Sequence, residues 1–451
     1  MASKRESIQG MWSSRLAFVL AVTGSAVGLG NIWKFPYIAG ENGGGAFVLV
    51  YLLCVFLIGL PVMMSEILIG RRGRRNPVET MRLLGEEESG QGAWSLVGGL
   101  GIAAGILILS FYSVIAGWAL AYIFKSGAAT FAGESKTVIE ATFDNHLADW
   151  KAQLLWHGAF MVMTVFVVAQ GVQKGLERAV RFLMPALLLL LLVLLGYAMK
   201  QGDFSGALDF MFTPKWDALS VDGVIIALGH AFFTLSVGMG AVMAYGAYLP
   251  EDASIGSTSI AVVLADTGIA LLSGLVIFPI VFQNGLDPAG GPGLIFQTLP
   301  VAFAQMKGGV FFGTLFFILL SFAAWTSAIG LIEPAAAWLT EQRKVSRPAA
   351  AALLGVVIGG LGILTVLSFN VLSDFTFARG TIFDNIDFLT SSIMLPLGGM
   401  LIVLFAGWVM CRNSTSEELG IGTGVRYQAW RFLSRFLAPA GILYIFVKEV
   451  F

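Results

Sequence analysis

Eleven long apolar segments follow one another along this chain of 451 residues, and they constrain its fold more than any other feature. Each is roughly 20 residues or longer, enough for a helix to cross the hydrocarbon core of a membrane. Because 57% of the residues are hydrophobic and 12% are charged, the composition excludes a soluble protein. We predict an all-α, polytopic membrane protein with a single transmembrane domain over 1–451. The predicted spans are 13–38, 45–70, 93–124, 153–171, 178–199, 222–249, 257–284, 309–340, 348–370, 386–411 and 430–450.

The basic residues predict how the chain is oriented in the bilayer. Most of them fall in loops on one predicted side, including a cluster after the second span formed by Arg71, Arg72, Arg74 and Arg75. The positive-inside rule makes that side cytoplasmic, which places the N-terminus inside and, with an odd number of spans, the C-terminus outside. A net charge of −1 gives no indication of a nucleic-acid partner.

The first span is interrupted by glycine. Within the stretch 23–36 (TGSAVGLGNIWKFP), three residues are poor helix formers: Gly24, Gly28 and Gly30. Unwound backbone inside a membrane is tolerated only where it is buried or lines a cavity. Asn31 and Lys34 follow at once, and polar groups at that depth favour a functional site. We therefore predict a broken helix with a binding site at the break; close helix packing by glycine is the alternative.

A second interruption lies in the sixth span, where SVGMG at 236–240 resembles SAVGLG at 25–30. The sixth span comes five spans after the first, an odd offset, so the two halves would lie in opposite orientations, as inverted repeats do. This predicts a first repeat over 13–199, a second over 222–411 and an additional helix over 430–450. Chance similarity between glycine-rich apolar segments is the alternative.

Several motifs in register resemble the neurotransmitter:sodium symporter family, from about Trp12 to Asp387. They are AVTGSAVGLGNIWKFPY at 21–37, ENGGGAF at 41–47, GRRGRRNP at 70–77, FFTLSVGMG at 232–240 and WTSAIGLIEP at 325–334. The resemblance implies the leucine-transporter fold in its bacterial eleven-helix form, hence a bacterial cytoplasmic (inner) membrane. It also implies sodium-coupled uptake of an amino acid or amine. No H-E-x-x-H, cysteine cluster or G-x-S-x-G motif favours an enzyme, whereas a sodium and amino-acid sensor without transport stays open.

The resemblance also implies a substrate site. The substrate carboxylate would bind the backbone of Ala26, Leu29 and Gly30 and the hydroxyl of Tyr112, and the ammonium would bind carbonyls of Ala26, Phe233 and Thr234, near Ser236. Monoamine carriers of the family have aspartate at the Gly28 position, so a substrate of this chain must bring its own carboxylate. The lining is apolar, which predicts a hydrophobic or aromatic amino acid; it comprises Ile108, Tyr112, Phe233, Ser236, Met239, Ser327 and Leu331.

Sodium needs hard oxygen ligands, and the resemblance implies two sodium sites and no organic cofactor. The first would use the substrate carboxylate with Ala26, Asn31, Thr234 and Asp266. The second would use Gly24, Val27, Ala323, Thr326 and Ser327. Asp266 replaces the asparagine of animal relatives, whose negative charge comes from chloride, and this predicts chloride-independent transport. A structural aspartate bonded to neighbouring hydroxyl groups is the alternative.

Four charged residues are candidate gates: Lys34 with Asp387 outside, and Arg5 with Glu341 inside, although Arg5 also fits a solvated positive-inside charge. Glu66 and Glu333 lie in apolar spans and are predicted to bond helix breaks across the bundle. His230 stands where glutamine is usual in the family, and Tyr51 is expected nearby. Because histidine can titrate near neutral pH, proton counter-transport stays open as an alternative, either with an amino-acid substrate or with another small zwitterion.

Overall fold

The computed structural model describes residues 5–289, 291 and 293–450, and these residues are almost entirely helical. The helices, with the π and 3₁₀ turns that some of them contain, are α1 (Arg15–Ala26), α2 (Gly30–Glu41), α3 (Gly45–Gly73), α4 (Pro77–Ser89), α5 (Gly92–Gly127), α6 (Lys136–Ala148), α7 (Trp150–Ala169), α8 (Val172–Gln201), α9 (Phe204–Phe212), α10 (Val221–Thr234), α11 (Ala241–Ala247), α12 (Ile255–Gln283), α13 (Leu294–Gln305), α14 (Gly309–Gln342), α15 (Arg347–Ser368), α16 (Ile382–Val409), α17 (Arg412–Leu419) and α18 (Val425–Lys448).

Among the described residues, nine helices are long and apolar enough to cross a membrane, or ten if α1 and α2 count as one span bent by 52°. The sixth predicted span, 222–249, is divided between α10 and α11, which are each too short to cross alone. Large apolar side chains on the outer helices are exposed, as lipid contact requires; on α7 they include Leu155, Val162 and Phe166. The predicted all-α polytopic class is confirmed.

Short helices cover both ends of the bundle. At one end, α6 and α13 pack on the end of α5 through an aromatic cluster, with Trp118 edge-on to Phe143 and Phe296. At the other end, α4 and α17 lie across the helix ends. There the buried guanidinium of Arg71 binds the side chain and backbone carbonyl of Glu418, and donates to the Ala253 carbonyl at 2.5 Å. These contacts fix the helix ends around a central site.

Candidate functional site

Both predicted helix breaks are confirmed. The first consists of the residues between α1 and α2, where Val27 is already extended (ψ 105°). The second lies between α10 and α11, where Gly238 and Gly240 have φ of +86° and +78°. Residues other than glycine rarely adopt these left-handed backbone conformations. The glycines of the second motif are therefore required by the backbone itself.

The two breaks are bonded to each other and to the bundle. Ser236 donates from its hydroxyl to the Ser25 carbonyl over 3.0 Å, which joins the second break to the first. The fully buried Glu66 accepts a hydrogen bond from the Gly238 amide. Its predicted role, bonding a helix break across the bundle, is confirmed. This pairing satisfies an amide that has lost its helical partner.

A compact group of oxygen ligands lies beside the first break. Asn31 donates from Nδ2 to the Thr234 hydroxyl (2.9 Å), to the Asp266 carboxylate (2.8 Å) and to the Asp266 carbonyl (3.1 Å). Thr234 in turn donates to the second carboxylate oxygen of Asp266 over 3.0 Å. All three side chains are fully buried, and Ala26 ends the neighbouring α1. The Thr234 hydroxyl and the Asp266 carboxylate and carbonyl are oxygen ligands that suit a hard cation, whereas the Asn31 amide oxygen accepts a hydrogen bond from the Gly28 amide over 3.0 Å.

A second group of oxygen atoms lies between the first break and α14. The Ser327 hydroxyl donates to the Val27 carbonyl over 3.1 Å and is 3.4 Å from the Gly24 carbonyl. Thr326 donates to the Ala323 carbonyl over 3.0 Å, and a Cβ atom built on Gly24 would lie 3.4 Å from the Thr326 Cβ. The structure thus brings together all five residues predicted for the second sodium site.

Gly28 lies where two polar side chains meet the first break. A Cβ atom built on Gly28 would lie 2.6 Å from the Tyr112 hydroxyl oxygen and closer still to Ser327 Oγ. The same Tyr112 hydroxyl accepts a hydrogen bond from the Leu29 amide over 3.1 Å. A Cβ atom on Gly30 would lie 3.2 Å from the Phe233 ring. Glycine at both positions keeps space between the break and these side chains.

The predicted apolar lining residues are buried around this space. Ile108, Met239 and Leu331 have exposed fractions of 1%, 3% and 6%. Gly101 and Gly105 were not predicted as site residues, and both let the backbone of a neighbouring segment approach α5 closely. A Cβ on Gly101 would lie 2.9 Å from the Met239 carbonyl carbon, and one on Gly105 would lie 2.9 Å from the Leu331 carbonyl oxygen. Their spacing to Ile108 and Tyr112 on one face of α5 was the signal available.

One end of the site is lined by Lys34 and Phe233. The Lys34 ammonium lies 4.7 Å from the centre of the Phe233 ring, in cation–π geometry. Asp387, its predicted gate partner, accepts a hydrogen bond from the Ser391 hydroxyl over 2.9 Å. Lys34, Phe233 and Asp387 were all predicted as site or gate residues, whereas Ser391 was not. The Phe233 side chain is half-buried.

The opposite end is closed by Trp12. Its amide donates to the Tyr248 carbonyl over 3.0 Å and its indole to the Tyr245 carbonyl over 3.2 Å, while the Trp12 and Tyr245 rings meet edge-on. The Tyr248 hydroxyl donates to Glu333 over 2.9 Å, and Glu333 forms a buried ion pair with Arg347. Glu333 therefore ties the end of α11 to α14 and to the start of α15.

The predicted inner pair needs a correction in this conformation. Arg5 forms its ion pair with Glu87 of α4, and Glu341 instead accepts two hydrogen bonds of 2.8 Å from Asn76. The reason is that α4 lies across this end of the bundle and presents Glu87 to Arg5. The charge of Arg5 indicated that an acidic residue would pair with it, but it did not indicate which acidic residue.

His230 is 97% buried, and its ring centre lies 5.4 Å from that of Tyr51, as the sequence predicted. Neither ring nitrogen has a hydrogen-bond partner among the described residues. The ring also stacks on Phe35 at 6.0 Å.

The sequence resembles those of known sodium-dependent transporters, and the fold resembles that of a solved structure. The model of the sodium:neurotransmitter symporter family matches residues 9–145 and 145–451. An uncharacterized sodium-dependent transporter of Bacillus subtilis (strain 168), YhdH, is 37% identical over 99% of both chains. One of Haemophilus influenzae is 31% identical over 98% of both chains. The crystal structure of MhsT in complex with L-phenylalanine aligns with a TM-score of 0.91 and 43% identity, over 98% of this chain and 100% of that one.

Proposed function

Because the chain belongs to the sodium:neurotransmitter symporter family, we propose that it imports a hydrophobic or aromatic amino acid together with sodium ions by alternating access. Family membership makes it a sodium-dependent, multi-pass membrane transporter with the fold of MhsT, rather than an enzyme. The substrate, the ion count and the roles of individual residues are our proposal.

One observation carries this proposal: oxygen ligands from a helix break and from neighbouring helices converge on the same buried space. Asn31, Thr234 and Asp266 are bonded to one another there, and no cationic side chain among the described residues hydrogen-bonds to any of them. A sodium ion in that group would neutralise the carboxylate and would also attract the carboxylate of a substrate. We propose that this coupling links the two solutes.

The ends of the broken helices support recognition of a zwitterion. Residues after Ala26 leave amides and carbonyls without helical partners, and broken membrane helices use such groups to bind ions and carboxylates. Glycine at position 28 leaves the pocket without an acid that could bind a free amine, so the substrate supplies its own carboxylate. In the same region, Tyr112 would hold that carboxylate through its hydroxyl group.

The side-chain pocket supports an apolar substrate. Ile108, Met239 and Leu331 offer no charge, and methionine adapts to side chains of different shape. The structural relative MhsT was crystallised with L-phenylalanine. We propose hydrophobic and aromatic amino acids as the substrates of this chain.

Asp266 supports transport that needs no chloride. Its carboxylate supplies a fixed negative charge inside the oxygen group, so no external anion is needed to balance sodium. We propose two sodium ions per cycle, the second held by the carbonyls and hydroxyls around Thr326 and Ser327. The protein would lie in a bacterial cytoplasmic membrane with its N-terminus inside and its C-terminus outside. Lys34 and Asp387 would then be gate residues on the external side.

His230 supports a second version of the cycle, in which a proton returns as sodium and substrate enter. Its buried ring nitrogens have no hydrogen-bond partner among the described residues. A buried histidine can exchange a proton when the site opens to water. An outward proton gradient that stimulates uptake at a fixed sodium gradient would favour this version.

Substrate competition tests the proposed function. Uptake of labelled leucine into proteoliposomes is measured with tryptophan, phenylalanine, alanine or proline as competitor. We expect the large apolar amino acids to compete best. A preference for proline or glycine would contradict the proposed substrate class, and substrate binding with no uptake would instead indicate a sensor.

A further inference from the structure

Three arginines cluster where α16 ends and α18 begins. Arg431 donates from Nη1 to the Tyr427 hydroxyl over 2.8 Å. The guanidinium groups of Arg412 and Arg431 each lie 5.8 Å from the centre of the buried Tyr427 ring. One tyrosine therefore holds two positive groups near each other. Arg435 lies one turn further along α18, and we call the arginine cluster Arg412, Arg431 and Arg435.

Arg435 is held flat against α16. A Cβ atom built on Gly407 would lie 3.0 Å from Arg435 Cγ, so the glycine makes room for the arginine stem. Arg435 Nε donates to the Gly407 carbonyl over 2.5 Å, and the guanidinium lies 4.7 Å from the centre of the Trp408 ring. The Trp408 indole donates back to the Arg435 carbonyl over 3.2 Å. The position of this charge is therefore built into the fold.

The charge of the cluster is not matched by an ion pair in the part of the chain that the structure describes; the Glu88 carboxylate accepts a hydrogen bond from the Cys411 amide, next to Arg412, but pairs with Arg72. None of its three arginines forms an ion pair with a carboxylate of the described residues. The two terminal nitrogens of Arg435 have no hydrogen-bond partner among those residues. At the same end of the bundle, by contrast, Arg71 and Arg72 pair with Glu418 and Glu88. Neighbouring like charges repel unless an anion lies between them.

The surroundings of the cluster are apolar and face outward. Trp408, Phe432 and Phe436 are 51%, 59% and 50% exposed. From Arg435 to Lys448, α18 extends only about 20 Å at about 1.5 Å per residue, which is shorter than the hydrocarbon core of about 30 Å. If Lys448 reaches one surface of that core, the Arg435 backbone lies within it. An arginine at that depth needs a polar partner or must extend toward the headgroups.

We propose that the arginine cluster binds the phosphate of an anionic phospholipid, whose acyl chains lie against Trp408, Phe432 and Phe436. The planar guanidinium forks of Arg431 and Arg435 suit phosphate oxygens, and the exposed aromatic rings suit the interface between headgroups and acyl chains. Basic pockets between membrane helices recognise lipid headgroups by the same chemistry. The site lies apart from the two helix breaks and adds a lipid ligand to the transporter.

Lipid binding to the purified, delipidated full chain tests the proposal. Native mass spectrometry would measure the apparent dissociation constants of dioleoyl phosphatidylglycerol and dioleoyl phosphatidylcholine, with inorganic phosphate as a competitor. We expect tighter binding of phosphatidylglycerol. The double variant R431Q/R435Q should weaken it by about tenfold or more, because charge-assisted hydrogen bonds are lost.

The matched control is Arg178→Gln, an exposed arginine at the same end of the bundle that should leave lipid binding unchanged. If the double variant does not elute as a folded protein, Arg412→Gln replaces it, because Arg412 is exposed and its loss cannot open the core. Equal loss in the control and the cluster variants would overturn the proposal. So would equal affinity for the two lipids, or displacement of phosphatidylglycerol by equimolar phosphate, which would indicate a site for a free anion.

Discussion

Asn31 donates a hydrogen bond from its amide nitrogen to a carboxylate oxygen of Asp266 over 2.8 Å, and both side chains are fully buried. The bond connects the start of α2, just after the first break, to the middle of α12. Since Thr234 of α10 bonds the other carboxylate oxygen, three helices meet at one charge. A cation bound there would hold those helices together, and its release would free them.

Replacement of Asp266 by asparagine should weaken sodium binding. Loss of the carboxylate removes a unit charge from the buried oxygen group, so the sodium concentration for half-maximal substrate binding should rise by about tenfold or more. Substrate binding to purified protein, titrated with sodium, measures this. Asp217→Asn, an exposed aspartate between α9 and α10, is the control. In the wild type, replacing chloride by gluconate should change nothing; uptake abolished by gluconate would contradict the role assigned to Asp266.

Replacement of Gly28 by alanine should weaken substrate binding. The added methyl group would overlap the Tyr112 hydroxyl and Ser327 Oγ, which face the first break. We expect affinity to fall by about tenfold or more, measured by competition binding at saturating sodium. Gly229→Ala on α10 is the matched control, because a Cβ atom there meets nothing within 4 Å. Equal affinities in the two variants would show that Gly28 does not border the substrate.

Breaking the ion pair between Glu333 and Arg347 should destabilise the closed end of the bundle. Glu333→Gln leaves the buried guanidinium without its carboxylate, which costs about 3–5 kcal/mol in comparable buried pairs. We expect a marked fall in Tm in detergent, with partial recovery in the double variant E333Q/R347Q. Glu86→Gln, which removes an exposed ion pair with Arg82, should change Tm little. Similar Tm values for E333Q and E86Q would contradict this account.

His146 on α6 should make the protein less stable in acid. Burial, reinforced by the nearby positive charge of Lys125, lowers the pKa of His146 from 6.5 to about 4. The unfolded chain therefore takes up this proton first, so the stability from neutral His146 is present above pH 6.5 and is lost as the pH falls toward 4. Tm measured at pH 7 and pH 5 should fall less in His146→Gln than in the wild type. An equal fall would exclude His146 as the group responsible.

The helix breaks could be predicted because their cause is local. Glycine weakens a helix wherever it stands, and Asn31 and Lys34 marked the first break as more than a packing contact. The bonding of Glu66 to the second break could also be predicted, because a buried acid needs a donor and an unwound helix supplies one. The family resemblance then indicated which oxygen atoms belong together.

Partners of surface charges could not be predicted in the same way. The sequence offers Glu341 as a candidate partner of Arg5, or a solvated Arg5, but Glu87 reaches Arg5 from α4, a short amphipathic helix that hydropathy does not reveal. Gly101 and Gly105 were missed because a glycine in a membrane helix signals close packing without naming the neighbour. The contacts of both kinds depend on how the helices are arranged in space, which the order of residues along one helix does not specify.

Sodium-driven uptake tests the central claim most directly. Purified protein in proteoliposomes is given an inward sodium gradient or, as a control, an equal potassium gradient, and accumulation of labelled leucine is measured for the wild type, Thr326→Val and Thr314→Val. Thr314 lies on the same helix and, like Thr326, donates to a carbonyl of α14, but it lies outside the oxygen group around Ser327, so its variant is the matched control. We predict accumulation above the external concentration only with sodium, a sigmoidal sodium dependence, and a strong loss in Thr326→Val alone. Equal accumulation with potassium, or sodium-dependent binding without accumulation, would contradict the account.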